Sequence, residues 1–315
     1  MINEFKELQM IEKLEALLGH FGNSAKLAHK LDVSRSTIVN WVDNPGSIRP
    51  ARALDIDVLY CNAFVTPALD KMPAPEAGSA ILLPDDYKMS ASIAHLRQFA
   101  YGTYEIEDAD ADPEMFQRII EDETHIPKGI SREAFIGMLS SYRTAKQIYH
   151  QIIDGGKQIR IDDDFVCRLH SDLMQMIRDD AGQYAAKGRG MGKLEDIDTT
   201  DPDDIPAEVA YWCKRYEDVR TLQEIAAAHA HFIRIHPFGD SNGRVGRALM
   251  LAQCLQAGLM PPILGKHNQV IYYSTMEYAM RHGRHKPLAS VLHSAQKEAQ
   301  RELSDRKGSS WKPVD

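Results

Sequence analysis

Three observations predict a mainly α fold. Apolar residues recur at helical spacing from about residue 91 to 305, with one Gly-rich interruption at 182–192. Residues 1–62 divide into short helical stretches separated by cap and turn residues. Strand-like runs are confined to Gly182–Met191 and Gln269–Tyr273. The 315 residues are 43% apolar and 26% charged, an ordinary globular composition that allows more than one domain. No run reaches the roughly 18 apolar residues of a spanning helix. The opening residues lack the basic-then-apolar pattern of a secretory leader. A cytoplasmic protein without membrane contacts is therefore expected. Cys61, Cys167, Cys213 and Cys254 stand far apart with no CxxC pair, which excludes a zinc ribbon and points to a reducing compartment. Lys plus Arg number 37 against 45 Asp plus Glu, a net charge of −8, so the whole chain is no generic polyanion binder.

Residues 1–62 form the first expected domain. Leu27, Ala28 and Leu31 share one helical face, and Asp32-Val33-Ser34 interrupts it. Ser34 can cap a second helix whose apolar side is Ile38, Trp41 and Val42. A small residue early in the first helix lets the two cross closely. This spacing is that of a helix-turn-helix and resembles the repressor/Cro-like family. The resemblance places Arg35, Ser36, Thr37 and Asn40 toward the DNA major groove. Residues 20–53 carry Lys26, Lys30, Arg35, Arg49 and Arg52 against Asp32 and Asp43, a modest basic footprint for operator DNA. Helix-turn-helix proteins commonly dimerise, so a homo-oligomer is expected.

Residues 63–90 read as a connector, with Pro67, Pro73, Pro75 and Pro84 and with Gly78 and Ser79 among them. The second domain is expected over 91–315, its last residues, Lys307 to Asp315, fraying.

Its chemistry lies in His236–Arg247, HPFGDSNGRVGR. An Ala-rich helical run, Leu222 to Ile235, precedes the motif, and a second apolar helix begins inside it. The loop thus ends at a helix N-terminus, where backbone N–H groups and the helix dipole favour anions. Gly243 permits close backbone approach. Arg244 and Arg247, three apart, project from one side of the first turn. Two guanidinium groups beside unsatisfied amides suit a polyphosphate. Asp240 offers one hard oxygen ligand of the kind Mg²⁺ uses. His236 can act as general base near neutral pH, and Phe238 anchors the loop in the core.

The segment resembles the Fic (Fic/Doc) signature, H-x-F-x-[D/E]-G-N-G-R-x-x-R, differing only where Ser241 replaces glycine. The resemblance extends in looser form from about residue 100 to 295. It implies a helical domain with a small β-hairpin flap and transfer of AMP from ATP to a Ser, Thr or Tyr hydroxyl of a target protein, and of the chain itself. In that family His236 would deprotonate the hydroxyl, and Asp240 would hold Mg²⁺ between the α- and β-phosphates. Asn242, Gly243 and Arg244 would cradle those phosphates, and Arg247 would hold the γ-phosphate. Serine at 241 is small, and its hydroxyl could donate to phosphate. A positive φ there would cost about 1 kcal/mol.

Many Fic proteins carry an inhibitory helix, [S/T]-x-x-x-E-[G/N]. Thr103 and Glu107 fit it, and Asp108 departs from it, so residues 103–108 are the expected brake, with Glu107 pairing Arg247. The competing reading is a solvated acidic patch of Glu105, Glu107, Asp108, Asp110 and Asp112. The resemblance places the target-docking flap at Gly182, Tyr184 and Lys187, although the arginine that often follows the aromatic is missing. His229 and His231 point in opposing directions on a helix and cannot converge on a metal, so His229 is read as structural. Tyr272 and Tyr273 are read as core, and no P-loop is present. Two rival functions remain: a phosphotransferase of the same fold, and a DNA-binding regulator whose Fic-like domain only senses nucleotide.

Overall fold

The computed structural model describes residues 8–75, 81–83, 89–107, 111–188, 190–191 and 197–305. The chain forms two units, one of Met1–Ala74 with Val270–Pro287 and one of Pro75–Gln269 with Leu288–Asp315.

The first unit begins with α1 (Met10–Phe21), α2 (Ser24–Lys30), α3 (Arg35–Asp43), α4 (Pro50–Tyr60) and α5 (Thr66–Lys71). Gly22, at φ +82, ends α1 by donating its N–H to the Leu18 carbonyl. Asn23 caps α2 by accepting from the Lys26 N–H, and Ser34 caps α3 by accepting from the Thr37 N–H. Asp32, between them, adopts φ +50, a conformation Asp tolerates better than most residues. Leu14, Leu17, Leu27, Ala28, Leu31, Ile38, Trp41 and Ile56 form one buried cluster. The spacing-derived faces of α2 and α3 are the buried ones except at Val42, which is half-buried and outside this cluster.

The second unit holds α6 (Met89–Glu105), α7 (Pro113–Glu121), α8 (Arg132–Tyr149), α9 (Asp163–Met174), α10 (Ile205–Arg215), α11 (Leu222–Ile235) and α12 (Asn242–Gln256). Asp112, Ser131, Asp162 and Thr221 cap α7, α8, α9 and α11 through side-chain oxygens. The helix α12 is buried along most of its length and touches α6, α8, α9 and α11. At Gly246 an added Cβ would lie 3.0 Å from the His229 and Ile233 side chains, so the α12 backbone lies directly against these side chains of α11. The chain continues with α13 (Gln269–His282) and α14 (Lys286–Asp305).

Three expectations are corrected. The connector begins later than residue 63. Cys61–Val65 is a π-helical turn and Thr66–Lys71 is helical, with Pro67 in the first turn, where no N–H is required. Gln269–Tyr273 is the start of α13, not a strand. Its buried residues Ile271, Tyr272, Thr275, Met276, Ala279 and Met280 recur at helical spacing, which a short apolar run does not reveal. This helix packs in the first unit, where Thr66 and Ser274 share a hydrogen bond of 2.5 Å and Asn62 donates to Glu277 at 2.6 Å. Finally, Leu82 and Leu259 make the one β pairing among the described residues, and residues 182–188 follow turns and bends rather than a hairpin.

Candidate active site

The chain leaves α11 at His236, which takes a left-handed conformation (φ 53°, ψ 56°) and donates its N–H to the Phe232 carbonyl at 3.1 Å. Its Nδ1 lies 3.2 Å from the Ile233 carbonyl. A carbonyl can only accept, so Nδ1 carries the proton and Nε2 keeps its lone pair, as a general base requires. Phe238 is fully buried and stacks on His170, with centroids 3.9 Å apart and planes 9° apart. Asn242 clasps the loop: its Oδ1 accepts from the Phe238 N–H at 2.9 Å, and its Nδ2 donates to the Phe238 carbonyl at 2.8 Å. The Asn242 side chain thus shapes the loop, and only its backbone N–H remains for a ligand.

Ser241 sits at φ 60°, ψ 17°, the left-handed region that favours glycine. Its side chain gives no cap to α12, so the N–H groups of the first turn remain oriented toward whatever anion approaches. Asp240 is exposed and accepts the Ser241 N–H through Oδ1 at 2.5 Å.

Arg247 is 1% exposed. Its Nη2 donates to the Thr103 carbonyl at 2.9 Å and to Glu107 Oε1 at 2.5 Å. Arg244 Nε lies 3.4 Å from Glu107 Oε2. One carboxylate, just beyond the end of α6, therefore faces both guanidinium groups. An added Cβ at Gly243 would stand 2.3 Å from Glu107 Oε1, so only glycine leaves room for this carboxylate against the start of α12. Its neighbours are engaged too: Glu105 accepts the Lys266 N–H at 2.9 Å, and Asp112 caps α7. Asp108 and Asp110 lie outside the described residues.

The segment from 182 borders this loop. The Gly182 N–H donates to His170 Nδ1 at 2.9 Å, and the Ala185 N–H to the Pro237 carbonyl at 2.9 Å. The Tyr184 ring lies 5.6 Å from Phe238, and its hydroxyl donates to Asp163. Lys187 is exposed, and Arg189 and residues 192–196 lie outside the described residues.

The local sequence gave no signal for His170, Met174 and Arg178. Arg178 pairs with Asp180 at 2.7 and 2.8 Å and stands over Gly239. Burial pushes the His170 imidazole down to about 4. His229 is lowered to about 3, chiefly by burial and further by the Arg247 charge. His229 Nδ1 donates to the Gly246 carbonyl at 3.2 Å. No three His, Cys, Asp or Glu side chains converge on a point among the described residues. The exposed Asp240 carboxylate, with Oδ1 on the Ser241 N–H, offers one hard oxygen, which fits Mg²⁺ that arrives with a polyphosphate and keeps phosphate and water ligands.

In the first unit, Arg35, Ser36 and Asn40 are exposed on α3 and Thr37 is half-buried. Arg35 Nε donates to Ser24 Oγ at 3.1 Å, and Asn40 Nδ2 to Ser47 Oγ at 3.0 Å. The Ser36 and Thr37 hydroxyls each meet Ser34 Oγ at 2.8 Å. No helix among the described residues is long and apolar enough to cross a membrane.

Residues 160–254 match the Fic/DOC family. The protein adenylyltransferase Fic of Drosophila willistoni is 32% identical over 83 residues, which is 24% of this chain and 17% of that protein. The protein of the same name in Aedes aegypti is 41% identical over 54 residues, 17% of this chain and 11% of that protein. The chain thus matches less than a fifth of the length of these curated relatives. Fic-1 from C. elegans superposes with a TM-score of 0.59 at 18% identity, covering 98% of this chain and 85% of that one. A Fic domain containing signaling protein from Bacteroides thetaiotaomicron gives 0.57 at 15% identity, covering 79% of this chain and 100% of that one. These structural likenesses establish the helical fold.

Proposed function

We propose, from the Fic/DOC family domain that residues 160–254 form, that this chain is a protein adenylyltransferase using ATP. The observation that carries the reading is the convergence of Arg244, Arg247 and the uncapped start of α12 on one carboxylate. Such a place is built for a polyanion, and His236 stands at its edge as the base.

In the proposed reaction His236 Nε2 takes the proton of a Ser, Thr or Tyr hydroxyl of a target protein, or of the chain itself. The freed oxygen bonds to the α-phosphorus. The bond from that phosphorus to the oxygen bridging the β-phosphate breaks, and pyrophosphate leaves. The amides of Asn242 and Gly243 and the Arg244 guanidinium hold the α- and β-phosphates. Arg247 holds the γ-phosphate. Asp240 would hold Mg²⁺, which would supply charge that neutralises the phosphates. A γ-phosphate partner at Arg247 favours AMP transfer over phosphoryl transfer from a reversed nucleotide. The segment Gly182, Tyr184 and Lys187 borders the loop and is the proposed docking edge for the target backbone.

Glu107 stands where the γ-phosphate would meet Arg247, so the resting chain is proposed to be autoinhibited. Incubating Glu107→Gly with ATP and Mg²⁺ and measuring intact mass tests the function. One or more added AMP groups are expected, and added phosphate alone would replace this reading with phosphotransfer.

A second role rests on α2 and α3. The left-handed turn at Asp32, the Ser34 cap and the exposed polar residues Arg35, Ser36 and Asn40 suit entry of α3 into a DNA major groove. A homodimer would match a palindromic operator. Retardation of duplex DNA that weakens steeply with salt is the expected result, and salt-independent or absent retardation would remove this role.

A further inference from the structure

Ser241 is the one residue of the motif that departs from glycine at a position with φ 60°. Its hydroxyl is 95% hidden from solvent with the rest of the residue and has two partners. The hydroxyl donates to Met174 Sδ at 2.9 Å, and its oxygen accepts from Arg244 Nη2. The same Nη2 lies 3.5 Å from Met174 Sδ. Met174 is the last residue of α9 and is 1% exposed. At Gly137 of α8 an added Cβ would stand 2.8 Å from the Tyr104 ring, with Arg244 Nη1 at an ordinary contact distance of 3.6 Å.

We infer that Met174 and Ser241 are a positioning pair that holds the Arg244 guanidinium in its anion-facing orientation. Thioether sulfur is a weak acceptor, but here it fixes the direction of the hydroxyl proton. With the proton on the sulfur side, the oxygen lone pairs face Nη2. Glu107 approaches Arg244 at Nε, a different nitrogen of the guanidinium from the one that Ser241 holds. The hold on Nη2 is therefore independent of the carboxylate and persists when Glu107 is withdrawn. Arg244 then meets an incoming phosphate already ordered, which lowers the entropy lost on binding. On this account the serine offsets its backbone strain by a contact that glycine cannot make. The consequence for nucleotide binding rests on the adenylyltransferase reading, whereas the order of the guanidinium does not.

The test is NMR of the guanidinium groups in the full chain carrying Glu107→Gly, with Arg244→Lys to assign the signal. Slow rotation is expected, giving two separate Nη signals for Arg244. Met174→Leu keeps bulk and removes the acceptor, and Ser241→Gly removes the hydroxyl at a position where glycine folds readily. Each is expected to merge the two signals, and the double variant to add nothing further. Met174→Gln, with an acceptor oxygen at similar reach, is expected to keep them separate. The Kd for ATP should rise about tenfold in the two merging variants. Separate Arg244 signals in both Met174→Leu and Ser241→Gly would overturn the pairing. Merged signals in a protein that binds no ATP would support the pairing and overturn the transferase reading alone.

Discussion

The Glu107 carboxylate and the Arg247 guanidinium, 140 residues apart in the chain, meet at 2.5 Å against the first turn of α12. Arg247 is almost wholly buried, so removing its partner uncovers a charge rather than a solvated side chain. Glu107→Gly therefore frees both guanidinium groups and the start of α12 for an anion. Its affinity for ATP and its rate of AMP transfer are expected to rise about 10- to 100-fold, the span of one or two charge-assisted hydrogen bonds. Calorimetric titration with ATP checks the first and label incorporation the second. An unchanged affinity would leave the carboxylate a merely structural partner of Arg247.

His236 holds its proton on Nδ1 against the Ile233 carbonyl, leaving Nε2 as the base. His236→Ala removes the base without touching the arginines. Transfer is expected to fall by about 10²–10⁴ while ATP affinity stays within a few-fold. Parallel measurement of rate and Kd separates the two, and near-normal transfer would remove His236 from the mechanism.

The Asn242 side chain makes two hydrogen bonds to the backbone of Phe238 in a buried place. Asn242→Ala leaves that N–H and carbonyl unsatisfied. A loss of about 2–4 kcal/mol is expected in chemical denaturation, along with loss of ATP binding. Full stability with lost binding would instead make the side chain a direct ligand.

Stability should depend on pH through His95 and His229, whose pKa values are lowered by burial to about 4 and about 3 from 6.5. The unfolded chain takes up a proton near 6.5, and the folded chain does so only at far lower pH. Their contribution is thus complete above pH 6.5 and declines as pH falls from 6.5 toward 4, by roughly 3 kcal/mol for His95. Denaturation midpoints at pH 7.5 and 4.5 test the sign, and a higher midpoint at pH 4.5 would contradict it.

Much of this site was legible in sequence because its parts are local. The His236–Arg247 spacing implied a loop feeding a helix start, and the resemblance of residues 103–108 to the inhibitory pattern marked Glu107 as the residue that meets Arg247. Ser34 advertised its cap in the same way. What could not be read depends on distant contacts. Met174 and His170 look like ordinary apolar-face residues of α9, and only the fold brings them under Ser241 and Phe238. The strand misreading at Gln269 arose because Val270, Ile271, Tyr272 and Tyr273 favour strands, and burial along α13 overrides that preference. The flap expectation came from resemblance alone; the Tyr184 hydroxyl is tied to α9 through Asp163, and residues 182–188 follow turns and bends.

The central claim is that the anion site opposite Glu107 passes AMP to a hydroxyl. It is tested most directly by offering α-³²P-ATP and γ-³²P-ATP side by side, with Mg²⁺, to the wild type and to Glu107→Gly. Protein-bound label from the α-position alone, stronger in the variant, is the predicted result. Label from the γ-position alone, or none from either in a variant that still binds ATP and is supplied with candidate target proteins, would contradict it.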